Sequence, residues 1–269
     1  MIEALRLIGD NLIRFRLSGP EAERYLAMTI GSRPVPPAVR RAPDYTIAVS
    51  SGYGHPLEIA EDAEVPVAFE ETPRGLTFTR ADYRLAISAD RREADIGFCD
   101  YFSLRTALLN WLSTVLTERR WGLIVHSSCV VNDGEAHLFT GYSGAGKSTV
   151  AALSRPRPLL ADESSILQVP EVGRILVHDS PFRNDFPEPA GVSPVPLRAV
   201  YLLEQSTSVG KRRLRGSEAM LALFDKIVHW KYDNRLSAGL VRQCKTLVER
   251  VPVYVLEFQK NDRFWEVIS

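Results

Sequence analysis

Gly141-Tyr142-Ser143-Gly144-Ala145-Gly146-Lys147-Ser148 fits the pattern G-x-x-x-x-G-K-[ST] at every specified position. Its flanks fit as well. Ala136 to Phe139 reads as a strand running directly into Gly141, and Ser148 to Leu153 reads as the start of a helix. Glycines are needed in such a loop because main-chain N–H groups must converge on phosphate oxygens, and side chains would block that approach. In this reading Gly141, Ser143, Gly144, Ala145, Gly146, Lys147, Ser148 and Thr149 wrap a chain of phosphates. Lys147 reaches the β- and γ-phosphates, the Ser148 hydroxyl ligates Mg²⁺, and the helix N-terminus adds partial positive charge. The stretch predicts an α/β fold with a P-loop at its centre and a purine nucleotide, ATP, as ligand.

Outward from the loop, Leu159-Leu160-Ala161 reads as a short buried strand ending in Asp162 and Glu163. An acidic residue at the end of a strand beside a P-loop can hold Mg²⁺, while its neighbour accepts the proton of an attacking hydroxyl. The other reading of the pair is a cap on the turn Asp162-Glu163-Ser164-Ser165. On the other side, Gly122 to Val125 is an apolar strand that ends in His126, a candidate active-site residue or a satisfied core histidine. A hairpin follows, Ser128 to Val131 and Ala136 to Phe139, around Asn132-Asp133-Gly134. Arg183, in the polar segment His178 to Asp185, offers either a guanidinium for phosphoryl charge or a loop salt bridge. Lys211, Arg212, Arg213 and Arg215 form a basic run that could meet an acidic substrate or simply face solvent.

Further strands are expected at Ala199 to Leu203 and Val253 to Phe258. Helices are expected on Ala219, Met220, Leu223, Phe224, Ile227 and Val228, and on Leu236, Leu240, Cys244 and Leu247. Asp100 is a candidate N-cap for a helix carrying Leu104, Leu108, Trp111, Leu112, Val115 and Leu116, ended by Glu118 to Trp121. The first hundred residues are rich in period-two alternation: Ile13/Phe15/Leu17, Tyr45/Ile47/Val49, Leu76/Phe78 and Tyr83/Leu85/Ile87. The proline-rich stretch Arg33 to Pro43 interrupts them and cannot be regular structure. The expected division is a strand-rich N-terminal domain over residues 1–99, with substrate recognition as one possible role, and a catalytic domain over residues 100–269.

Composition narrows the field. The chain has 269 residues, 45% of them hydrophobic, enough for one large α/β domain or for two. Lys plus Arg and Asp plus Glu both number 33. A zero net charge provides no field favouring nucleic acid or an anionic membrane. Cys99, Cys129 and Cys244 lie far apart and without metal-ligand spacing, which fits buried thiols in a reducing compartment. The N-terminal MIEALRLIGDNLIRF has no signal-peptide core, and no stretch is apolar enough to cross a bilayer. A cytoplasmic location follows as the expectation.

Taken in order, His126-Ser127-Ser128, the hairpin, Gly141 to Ser148 and Leu160-Ala161-Asp162-Glu163 resemble the HPr kinase/phosphorylase family. The likeness continues through Ser180-Pro-Phe-Arg183 and Arg198 to Leu203, covering roughly residues 120–260. It implies a P-loop core of the HPr kinase/phosphoenolpyruvate carboxykinase type and transfer of the γ-phosphoryl of ATP to a serine hydroxyl with Mg²⁺. By that resemblance His126 sits near the reacting phosphate. Asp162 and Glu163 divide base and metal duties, and Arg183 contacts phosphate or substrate. Three departures stand out: Thr149 follows the P-loop serine where an acidic residue is usual, Glu163 replaces an aspartate, and the C-terminal glycine-rich signature with its arginine is missing. That signature belongs to the reversible enzyme, so the departures argue against phosphorolysis and against HPr as substrate.

Overall likeness is greater to divergent relatives encoded beside peptide-maturation genes, some of which phosphorylate the C-terminal serine of lasso-peptide precursors. A peptide substrate is therefore the expected partner. HPr kinases form hexamers, which leaves a homo-oligomer open. Two alternatives stay open beside the peptide kinase: a kinase of free serine or a similar metabolite, and a nucleotide-responsive binding module without chemistry.

Overall fold

The structure is a computed structural model describing residues 2–57, 65–229 and 234–268, apart from the side chains of 234–237. Among these residues the protein is mixed α/β, with two multi-stranded sheets and six helices. The chain divides into two compact units, Met1–Val115 and Leu116–Ser269.

Alternation builds the first unit. Its elements are β1 (Ile2–Ile8), β2 (Asn11–Ser18), α1 (Ala22–Ile30), β3 (Tyr45–Ser51), β4 (Ala68–Thr72), β5 (Gly75–Thr79), β6 (Tyr83–Ser88) and β7 (Glu93–Phe98). The strands lie in the order β1-β2-β3-β7-β6-β5-β4. Ile13, Phe15, Leu17, Ile47, Val49, Leu85 and Ile96 are buried, whereas Arg16, Arg84 and Asp95, which alternate with them, are exposed. Parallel β2 and β3 are joined through α1, the crossover that parallel neighbours require. The stretch 33–43 carries neither helix nor strand, and Asp44 closes it by accepting the Leu12 N–H at 2.7 Å.

The helix α2 (Tyr101–Glu118) begins at a reciprocal cap. Asp100 Oδ1 accepts the Ser103 N–H at 2.8 Å, and Ser103 Oγ accepts the Asp100 N–H at 3.0 Å. The division between the units falls inside this helix, between Val115 and Leu116.

Two eleven-residue strands, β8 (Gly122–Asn132) and β13 (Val195–Gln205), organise the second unit. Between them come β9 (Glu135–Thr140), α3 (Lys147–Leu153), β10 (Leu159–Ala161), β11 (Ser164–Gln168) and β12 (Leu176–His178). After β13 follow β14 (Gly210–Leu214), α4 (Gly216–Phe224), α5 (Asn234–Arg250), β15 (Val253–Phe258) and α6 (Phe264–Ile268). The sequence suggests two strands where β8 is one. Its first half pairs with β11 and its second half with β9, the change falling at His126 and Ser127. The polar residues at this switch are tolerated in a buried strand because they are satisfied. The Ser127 hydroxyl donates to Ser165 Oγ at 2.7 Å.

β13 likewise pairs with β12 through its start and with β9 and β15 through the rest. Pairings β8–β11–β12–β13–β9–β8 thus close into a ring, from which β10, β15 and β14 extend. Leu123, Val125, Leu138, Leu167, Val177 and Leu197 from this ring share one buried cluster, each contributing about 1.5–3 kcal/mol. Strands β9, β13 and β15 are mutually parallel and end at the same edge of the sheet. That edge is where an α/β sheet presents a ligand site.

The turn between β8 and β9 is a two-residue one, Asp133 and Gly134 both having positive φ (51° and 75°), as Asp-Gly dictates. The basic residues Lys211, Arg212 and Arg213 lie on β14, the edge strand, exposed to solvent. Arg212 pairs with Glu218 at 2.9 Å. Charges there deter pairing with another chain. The side chain of Leu236, expected on the face of α5, lies outside the described residues. Among the described residues no helix is long and apolar enough to cross a membrane.

Candidate functional site

Gly141 to Gly146 turn sharply between the end of β9 and the start of α3. Gly144 and Gly146 have φ of 76° and 109°, the region that favours glycine. At Gly146 space is also lacking, since a Cβ would sit 2.5 Å from Phe258 Cζ at the end of β15. From the end of β13, Gln205 Nε2 donates to Gly144 O at 2.9 Å. From β8, the Ser128 hydroxyl donates to Lys147 O at 3.1 Å. The two long strands β8 and β13 therefore fix the loop and β15 crowds it, while Ser143, Gly144 and Ser148 remain exposed.

The Lys147 ammonium folds back over the loop and donates to Gly141 O and Tyr142 O, each at 3.1 Å. Burial pushes its pKa below the ordinary lysine range, the charge of Lys226 pushes it further, and Glu163 opposes both. Lys147 thus meets one neighbouring cation and one neighbouring carboxylate.

The two carboxylates of the acidic pair have different surroundings. Asp162 is buried, and its Oδ2 accepts the N–H groups of Asn184, Asp185 and Phe186 at 3.0, 2.7 and 3.0 Å. Its Oδ1 is buried with no hydrogen-bond partner among the described residues. Glu163 is half-buried, and its carbonyl accepts the Ser127 N–H at 2.9 Å, which anchors the pair beside the switch point of β8. The geometry brings Glu163 toward Lys147 and makes Asp162 the organiser of the 184–186 turn.

Arg183 does not join them. It is buried, with Nε donating to Ser180 O at 2.9 Å and Nη1 to Phe186 O at 3.2 Å. Nη2 donates to Leu159 O at 2.8 Å, to Leu160 O at 3.1 Å and to Asp179 Oδ1. A guanidinium has five N–H donors, and acceptors of the protein itself surround this one. In the structure Arg183 clasps the segment 179–186 to β10. An arginine in a polar loop reads alike in sequence whether its acceptors are external or internal.

His126 is half-buried at the switch of β8. Its N–H donates to Lys226 O at 2.7 Å, its carbonyl accepts the Thr140 hydroxyl at 2.7 Å, and it pairs with Ser164. The ends of β9 and α4 and the start of β11 thus meet around this one residue.

Sequence reasoning misses Lys226. The apolar spacing Ala219 to Val228 suggests a single helix, whereas α4 stops at Phe224 and the chain turns back onto β8. There Ile227 bridges Val125, and the Val228 N–H donates to Ile124 O at 2.9 Å. No glycine or proline marks the turn, so no sequence signal announces it. A different buried histidine, His137, stacks on Tyr201, and burial pushes its pKa down to about 4. It is a neutral core residue away from the loop.

Fold and site together define a mixed α/β protein with a glycine-rich loop set on the ends of parallel strands, flanked by two lysines and an acidic pair. A family model described as "SynChlorMet cassette protein ScmC" matches residues 102–269. The chain belongs to this ScmC family, and the matched region contains every residue of the site. No curated protein matches the chain significantly.

Proposed function

We propose that this chain is a Mg²⁺-dependent kinase of the HPr kinase-like P-loop type, transferring the γ-phosphoryl of ATP to a serine hydroxyl on a peptide. The C-terminal serine of a lasso-peptide precursor is the first acceptor to test. One observation carries the reading. The loop Gly141 to Ser148 is held by Gln205 at the end of β13 and by Ser128 within β8, and packs closely on Phe258, with Lys147 lying across it and Glu163 close enough to affect that lysine.

In this reading the loop amides and Lys147 bind the β- and γ-phosphates. The donor set suits magnesium: hard oxygens from the exposed Ser148 hydroxyl, the unpartnered Oδ1 of Asp162 and the carboxylate of Glu163. Among the described residues no cluster of three or more His, Cys, Asp or Glu could hold a metal ion by itself. Magnesium needs no such cage, since phosphate oxygens and water complete its shell. When bound, it neutralises charge on the phosphate oxygens.

The acceptor hydroxyl oxygen forms a bond to the γ-phosphorus as the bond to the β-phosphate oxygen breaks. ADP leaves, and the hydroxyl proton passes to a carboxylate. Glu163 suits that proton better than Asp162, whose Oδ2 is engaged by three amides. His126 stands at the junction of the elements that form the site and would position the reacting groups. Catalysis is mainly orientation and charge neutralisation.

Incubating the protein with labelled ATP, Mg²⁺ and serine-bearing precursor peptides tests the reading. One phosphoryl group on the peptide, lost on chelation of the metal, is the expected product. Label on free serine alone would move the activity to a small molecule. Nucleotide bound with no acceptor labelled would leave a binding module.

A further inference from the structure

Lys226 is buried, at 6% exposure, yet among the described residues no buried carboxylate is paired with it. Its ion-pair partner is the neighbouring Asp225, whose Oδ2 lies 2.8 Å away on a side chain 51% exposed. Its other neighbour is the ring of Tyr142, the second residue of the glycine loop, with the ammonium 3.3 Å from the ring centroid. Such a contact offsets only part of the cost of withdrawing an ammonium from water. The position is nonetheless rigidly set. Hydrogen bonds from His126 N to Lys226 O and from Val228 N to Ile124 O pin the backbone on either side of the Ile227 bridge.

The fold therefore holds a second ammonium against the glycine loop, close enough to Lys147 for the two charges to repel. Two cations beside converging amides are stabilised by an anion, and the longer the phosphate chain, the more of it both can reach. The ring over Lys226 is itself exchangeable. Tyr142 is 75% exposed, and rotating it away uncovers the ammonium without disturbing the core.

We propose that Lys226 binds the terminal phosphate of the nucleoside triphosphate held by Gly141 to Ser148, with the Tyr142 ring occupying its place until the nucleotide arrives. This rests on the nucleotide reading of the loop and extends it. Lys226 is the point charge that stabilises the transferring group, a role Arg183 cannot take from inside its ring of carbonyls. Lysine suits it, being a compact charge with three rotatable donors. A contact made only by the third phosphate also gives the site a means of preferring ATP to ADP.

Calorimetric titration of wild type and Lys226→Met with ATP and with ADP, in Mg²⁺, tests this. Wild type should bind both. The variant should lose about ten- to a hundredfold in ATP affinity, the worth of one charged hydrogen bond, while its ADP affinity stays within about twofold. Equal losses for both nucleotides, or none for either, would overturn the assignment while leaving the loop reading intact. Wild type that binds neither nucleotide would remove both. Tyr142→Trp supplies a readout independent of the lysine substitution. Its indole emission should change on ATP binding and much less on ADP binding, and an indole insensitive to bound ATP would contradict the displacement.

Discussion

Arg183, in a polar loop, and Lys147, at the start of α3, are both basic side chains of the second unit, and their surroundings are opposite. Five acceptors of the protein itself surround the Arg183 guanidinium. Among the described residues the Lys147 ammonium donates to two carbonyls, both of its own loop, at 3.1 Å each. The first arrangement is complete within the fold. The second can exchange its partners for those of a ligand, because an anionic phosphate oxygen is a stronger acceptor for an ammonium than a neutral carbonyl. The same contrast separates the two oxygens of Asp162, Oδ2 with three donors and Oδ1 with none. What distinguishes structural charge from functional charge here is whether the chain's own groups already satisfy it.

Substitutions can break or sharpen that contrast. Arg183→Met should have the largest effect and a structural one. It leaves Asp179 and four carbonyls without their donor, for a loss of about 3–5 kcal/mol in chemical unfolding. A variant of unchanged stability would contradict the clasp. Lys147→Ala should do the reverse, lowering phosphoryl transfer by about 10²–10³-fold while moving the unfolding free energy by no more than about 0.5 kcal/mol. Steady-state rates and melting curves on one preparation decide between the two behaviours.

Gly146→Ala lies between them. Its positive φ and the Phe258 ring make a methyl group cost about 1–3 kcal/mol, and the displaced loop should weaken nucleotide affinity. Asp162→Asn should cost less stability than Arg183→Met, about 1–2 kcal/mol, because the amide oxygen can still accept the three N–H bonds. It should preserve nucleotide binding better than Glu163→Gln preserves turnover. If instead Asp162→Asn abolished transfer at full stability, the base would be reassigned to Asp162.

The elements around the loop were legible because local chemistry sets them. Asp-Gly fixes the hairpin turn, Asp100 caps α2, and three closely spaced glycines can only be a tight loop. Much of the rest depended on distant partners. Nothing in Gly122 to Asn132 says that the strand changes sheets, since Ser127 is tolerated there only because Ser165 answers it. The end of α4 was hidden because Ile227 and Val228 continue the helical spacing while serving a bridge to β8. Helix α1 is a plainer omission: Ala22, Leu26 and Ile30, all buried, repeat at four-residue intervals and could have been read. In the site, the glycines and Lys147 carry a pattern, whereas Lys226 and the burial of Arg183 arise only from tertiary packing.

The central claim is that the main-chain amides of residues 141–148 and the Lys147 ammonium form a triphosphate site. Calorimetric titration of the folded protein with ATP in Mg²⁺, beside Lys147→Ala and Arg183→Lys, tests it most directly. The account predicts saturable binding at one nucleotide per chain, abolished or severely weakened in Lys147→Ala. Arg183→Lys should retain it wherever that variant stays folded. Saturable binding that Lys147→Ala leaves unchanged, or no binding by well-folded wild type, would contradict it.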